Sequence, residues 1–165
     1  MATLTESQRK TLVTNCKLLN QYQNLIGYEQ IRPFPLVPLD ALEAGLKAGT
    51  QYNEWDCSAS IIEVCLISGI MDPSGYNFNG DGDSLSMLAR LKNYTNPARA
   101  QPGALVVFGA DLALGNQHVC MVTIAGTNPQ LFSHGETDSC KLLTLSQEQT
   151  AHTGQTVFLD MSQQG

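Results

Sequence analysis

The order of patterns along the chain predicts an α+β fold. Helix-period segments fill the first half and short alternating apolar segments the last, with Gly, Asn and Pro turns between the latter. At 165 residues, with 42% hydrophobic and 15% charged positions, the chain suits one domain with one core. We read residues 1–165 as that single domain: an N-terminal helix over 1–27, a connector and short helix over 28–49, and a core over 50–161.

The first helix runs from Thr5 to about Gly27, with Leu12, Cys16, Leu19 and Ile26 at helical spacing. "TESQ" reads as its capping-box start. "IRPFPLVP" is extended, because its three prolines cannot continue a helix. A short helix follows from Leu39 to Lys47 and stops near Gly49. Ser58 to Ser68 is apolar nearly all round, as a fully buried helix is. "MDPSGYNFNGDGDS" is a turn-rich loop, and "LSMLARL" a short amphipathic helix. Strands are expected at Ala104–Phe108, His118–Ala125, Gln130–Ser133 and Thr156–Met161, with a further one at Lys141–Leu145. Helices first and antiparallel strands last is the expected arrangement.

No apolar run reaches the roughly 18 residues of a membrane span. A formal net charge of −6 lacks the clustered Lys and Arg that phosphate contacts require, so nucleic acid is not the expected partner. "MATLTESQRK" has no apolar stretch of the secretory kind. The five cysteines are irregularly spaced and form no CxxC pair, so no zinc cluster and no other metal or cofactor is expected. Cys16, Cys65 and Cys120 sit in apolar patterns and read as small buried hydrophobes, whereas Cys140 falls in a polar turn. In "NFNGDGD", residues Asn77, Asn79, Asp81 and Gly82 match the early positions of a calcium loop. Its twelfth position is Leu88, where a bidentate Glu is required, so the stretch reads as a turn.

Cys57 differs from the other cysteines. It follows Asp56 and precedes Ser58 where the buried helix begins, and the positive end of a helix favours a thiolate. Thiol catalysis also needs an imidazole and a third group that orients it. His118 opens one strand and His134 closes the next, so two adjacent strands can bring the rings together. Glu136 is the reserve orienting group, two residues further along the same strand face. His152 lies in a polar stretch with no such placing.

"DCSASIIEVCLISGIMDPSGYNFNG" resembles the nucleophile segment of NlpC-type cell-wall peptidases, closest to the peptidase domains of endolysins from actinobacterial phages. "QPGALVVFG", "HVCMVT" and "LFSHGET" are similar to that family's strands. "YEQIRPFPL" is similar to its Tyr-x-x-x-Arg-Pro segment. The likeness runs from Tyr28 to Met161, four motifs in order, and departs from the family at Ala104, where Asp is usual, and in "DCSA". It implies a papain-like fold with the nucleophile helix on a small antiparallel sheet. It also implies a cofactor-free peptidoglycan hydrolase that cleaves an amide of the stem peptide. Cys57 would be the nucleophile, His118 the base and His134 the orienting residue. Gln51, Tyr52, Asp56 and Ser58 would be oxyanion or substrate contacts. Such an enzyme is expected to be a monomer made in the host cytoplasm and acting at the wall. An N-acetylmuramoyl-L-alanine amidase or an interbacterial amidase toxin would use the same residues. A non-catalytic wall-binding or structural phage protein would have no need of all three.

Overall fold

The computed structural model describes residues 3–136 and 139–161. Helix α1 (Glu6–Gln21) starts at Thr5, whose side chain and that of Gln8 form the expected reciprocal cap. It stops short of Gly27 because a 3-10 turn leads into strand β1 (Ile26–Tyr28), which pairs in parallel with β2 (Tyr52–Trp55). Gly27 permits that approach, since a Cβ there would lie 2.5 Å from Asn53 Oδ1. Helix α2 (Leu39–Ala48) ends at Gly49 in the left-handed conformation. Helices α3 (Cys57–Ile67) and α4 (Ser84–Arg90) follow.

The remaining elements are β3 (Lys92–Tyr94), β4 (Leu105–Phe108), β5 (His118–Ile124), β6 (Gln130–His134), β7 (Cys140–Thr144), helix α5 (Leu145–Ala151) and β8 (Val157–Asp160). Strands β3 to β8 form one antiparallel sheet in the order β3-β8-β4-β5-β6-β7. The α+β class is therefore as expected, but the simple division into helices and then strands is not. Strands β1 and β2 precede α3, and α5 lies between β7 and β8. Cys140, expected in a polar turn, opens β7 and is buried, because its strand pairing with His134 takes it into the sheet.

Period-2 alternation gives the sheet two apolar faces. Val119, Met121 and Phe132 join α1, α2 and α3 in the larger core. Val106, Phe108, Cys120, Val122 and Leu131 form a smaller core with Leu145 of α5. Helix α3 is buried at every position except Leu66, in keeping with its unbroken apolar surface. The proline-rich connector is tied down at several points. Trp55 Nε1 donates to the Pro35 carbonyl at 2.7 Å, Glu63 accepts from the Val37 N–H at 3.1 Å, and the Phe34 N–H donates to the Gly80 carbonyl at 3.0 Å. Gly80 has φ 88° and no room for a side chain, as a Cβ would lie 2.6 Å from the Phe34 carbonyl oxygen. The "NFNGDGD" stretch is a turn, with the Asp81 N–H donating to Asn79 Oδ1. No helix among the described residues is long and apolar enough to cross a membrane.

Candidate active site

Asp56 is the N-cap of α3, accepting the Ala59 N–H at 2.8 Å. Its second carboxylate oxygen pairs with Arg32 Nη2 at 2.8 Å, and Ser58 Oγ is shared by both, 2.9 Å from Arg32 and 2.8 Å from Asp56. The "YEQIRP" and "DCSA" segments, 24 residues apart at Arg32 and Asp56, thus meet in one hydrogen-bonded cluster. Cys57 follows at the first turn of the helix. It lines a cleft of about 220 Å³ together with Gln30, Arg32, Ser58, Leu114 and Gln117. Among the described cysteines it alone has any exposure, 6%, against 0% for the other four.

The thiol is protonated at rest. Burial first, and then the Asp56 carboxylate, push it up to about 12, while the Val119 and Ser58 N–H groups and Arg32 pull the other way. The helix terminus therefore does not by itself make a thiolate here. An Asp56→Asn variant keeps the cap but loses the charge. We expect the alkaline midpoint of Cys57 alkylation by iodoacetamide, read by peptide mass spectrometry, to fall by up to about one pH unit in that variant. An unchanged midpoint would show that Asp56 has no hold on the thiol.

The Cys57 sulfur lies against the Val119 N–H of β5, one residue from His118. The His118 ring itself leans to the other face of the sheet, as its alternation with Val119 dictates. There Nε2 is 3.0 Å from Ser133 Oγ and 3.9 Å from Glu148 Oε2, and the ring stacks on His152 with centroids 4.3 Å apart. His118 makes no hydrogen bond to Cys57. Burial, and then His152, hold its pKa well below the ordinary imidazole value, so it is neutral and free to accept a proton.

His134, expected behind His118, lies on the α3 side instead. Its Nδ1 shares a hydrogen bond with Ser60, one turn after Cys57, and its ring meets Tyr28 edge-on at 5.3 Å. Its Nε2 is buried and is the one such side-chain atom without a hydrogen-bond partner among the described residues. The groups in place to orient His118 are Ser133 and, further off, Glu148, while Glu136, the reserve, lines a second cavity, apart from the Cys57 cleft, that His118, Ser133 and Glu148 also line. Gln51 and Tyr52 are also displaced from their expected place at Cys57. Gln51 is exposed, and Tyr52 stacks on Trp55 at 5.5 Å, because β2 turns them away from the cleft. Tyr28 takes the position by the thiol, and burial and then Cys57 push its hydroxyl up to about 12.

Glu148 and His152 were not legible as site residues, because "LSQEQTA" is polar and lacks a strong helical stripe. A signal was present all the same. "TLSQ" at Thr144 has the same capping-box form as "TESQ" at Thr5, and it caps α5 in the same way. In comparisons with known proteins, the chain matches no family model, no curated protein and no solved structure.

Proposed function

We propose that this chain is a cysteine peptidase or amidase of papain-like, NlpC-type architecture that cleaves an amide bond in the stem peptide of bacterial peptidoglycan. The observation that carries the reading is the Cys57 thiol at the start of a buried central helix, open to a cleft and set against the strand residue next to His118. The order of the motifs adds support. So does the Arg32–Asp56–Ser58 cluster that joins two of them.

Both the thiol and the nearby imidazoles are neutral in this arrangement, which favours general-base attack over a preformed thiolate–imidazolium pair. The His118 ring faces away from the sulfur, so the start of β5 would have to twist and carry it from Ser133 over the sheet edge. It would then take the thiol proton as the sulfur adds to the amide carbonyl, and return it to the leaving amine. The Cys57 N–H at the helix start would meet the oxyanion, and water would release the thioester. An endolysin-type role places the protein's synthesis in the host cytoplasm and its action at the wall. The amidase and toxin variants share the chemistry and differ in the bond cut.

The absence of a Cys57–His118 hydrogen bond favours a second reading, a wall-binding protein that keeps the fold without turnover. Purified chain incubated with purified walls in EDTA separates the two, with mass spectrometry of the released fragments. New amine and carboxyl ends at one stem-peptide bond support the enzyme and name the bond. Sedimentation with walls but no fragments supports the binding module.

The two histidines are expected to differ. His118→Ala should lower hydrolysis by about 10² or more, the scale of a lost general base. His134→Gln keeps a partner for Ser60 and should retain most of the rate. Equal losses in the two variants would contradict the assignment of His118 as base.

A further inference from the structure

Three side chains from two separate segments converge under α5. Glu148 lies on the helix, His152 is its C-cap four residues later, and His118 comes from β5. Their ligand-bearing atoms all lie within 4.8 Å of one another. Glu148 is 3% exposed, and its partners are His118, His152 and Ser133, none of which carries a fixed positive charge. The carboxylate is held by His152 and Ser133, an anionic oxygen donor set beside two imidazoles. We propose that His118, Glu148 and His152 form a binding site for a divalent cation of the zinc class.

The donor set favours that class. Two imidazoles and one carboxylate suit zinc and its neighbours, whereas calcium and magnesium prefer all-oxygen shells. Bonds of about 2.0–2.2 Å in tetrahedral geometry put ligand atoms roughly 3.3 Å apart. The Glu148 Oε2 distances of 3.1 Å to His152 Nε2 and 3.9 Å to His118 Nε2 bracket that value. The edge between the two imidazoles has to close. His152, with 31% of its side chain exposed at the helix end, can swing and tilt out of its stack to do so. A cavity of about 400 Å³ adjoins the three groups, with Ser133, Glu136 and Gln147 on its walls, and leaves room for water as a fourth ligand.

The site stands apart from the peptidase reading, but it bears on it through His118. A metal ion on Nε2 would displace the Ser133 hydrogen bond and put positive charge on the ring, so a zinc-loaded chain would lose its base.

The test is titration of ZnCl₂ into the full metal-stripped chain by calorimetry, with Tm followed in parallel and CoCl₂ as a spectroscopic probe. We expect one zinc per chain, a higher Tm on loading, and cobalt d–d bands without thiolate charge transfer. Affinity should fall about tenfold or more in both Glu148→Gln and His152→Ala. No saturable binding, affinity in both variants equal to that of the unsubstituted chain, or a thiolate band from a cysteine ligand would overturn the proposal. Circular dichroism checks the fold of each variant, and loss of binding in either well-folded one supports the site. Wall hydrolysis is read separately: zinc bound at one equivalent without inhibition leaves the site standing and counts against His118 as base.

Discussion

Cys57→Ala should reduce release of stem-peptide fragments by about 10³-fold or more, to the level of the uncatalysed background. The expectation follows from place rather than residue type. Cys16, Cys65, Cys120 and Cys140 are fully buried in the two cores or the sheet, whereas Cys57 alone meets a cleft. The change removes one sulfur at the first turn of α3, and Asp56 still caps the helix through the Ala59 N–H. The stability cost should therefore stay near 1 kcal/mol, in the range of other small core truncations. Cys57→Ser is the sharper variant, since it keeps shape and hydrogen bonding but supplies a much weaker nucleophile. Measured on purified walls beside circular dichroism spectra of all three proteins, retention of native rate by either variant would end the nucleophile assignment. The fully buried thiols serve as an internal control: Cys65→Ala should cost stability without touching chemistry.

Residues whose roles are local were legible in the sequence, and residues whose roles depend on pairing were not. Thr5, Gly49 and the apolar run of α3 act through neighbours within one turn, and the structure follows them closely. The strand pattern located β4 to β8, because alternation persists whatever a strand pairs with. Strands β1, β2 and β3 were missed. They are three or four residues long, too short for alternation to show, and β1 and β2 meet where Gly27 leaves room for Asn53. The candidate site divides in the same way. Cys57, Asp56 and Ser58 share a helix start, so their grouping could be read directly. The expected His118–His134 pair rested on two strands being adjacent, which they are, but adjacency does not settle which face each ring takes. Met121 pairs with Phe132, so residues 118 and 134 fall on opposite faces of the sheet. The faces in turn decide the partners, Ser133 and α5 for His118, Ser60 and Tyr28 for His134.

Glu63→Gln should make the protein more stable at pH 8–9 and remove a pH dependence that the wild type carries. Glu63 sits in the middle of α3 at 0% exposure, and among the described residues the only hydrogen-bond donor to its carboxylate is the Val37 N–H, 3.1 Å from Oε2 and 3.3 Å from Oε1. Burial pushes its carboxyl up to about 8, with the Val37 N–H pulling weakly the other way. The folded chain thus holds a proton that the unfolded chain releases near the ordinary glutamate value of 4.5. With the folded pKa raised, the contribution of this group to stability is complete below about pH 4.5. It is lost as pH rises through about 8, and the folded state then carries an ion in its core. The total change is on the order of 3–5 kcal/mol, from about 1.4 kcal/mol per pH unit across that window. Glutamine has the shape of the protonated form, can accept the same N–H, and does not titrate. Denaturant unfolding of both proteins from pH 4.5 to 9 isolates the effect, because every other group cancels in the difference between them. That difference should be near zero at the acid end and grow in favour of the variant toward pH 9, whereas a flat difference would mean that Glu63 is ionised in the fold throughout. The consequence reaches the cleft, since Val37 belongs to the connector that carries Arg32 to Asp56. A charged Glu63 in a loosened core would release that connector, so the alkaline loss of stability should bring with it faster alkylation of Cys57, and Glu63→Gln should suppress both.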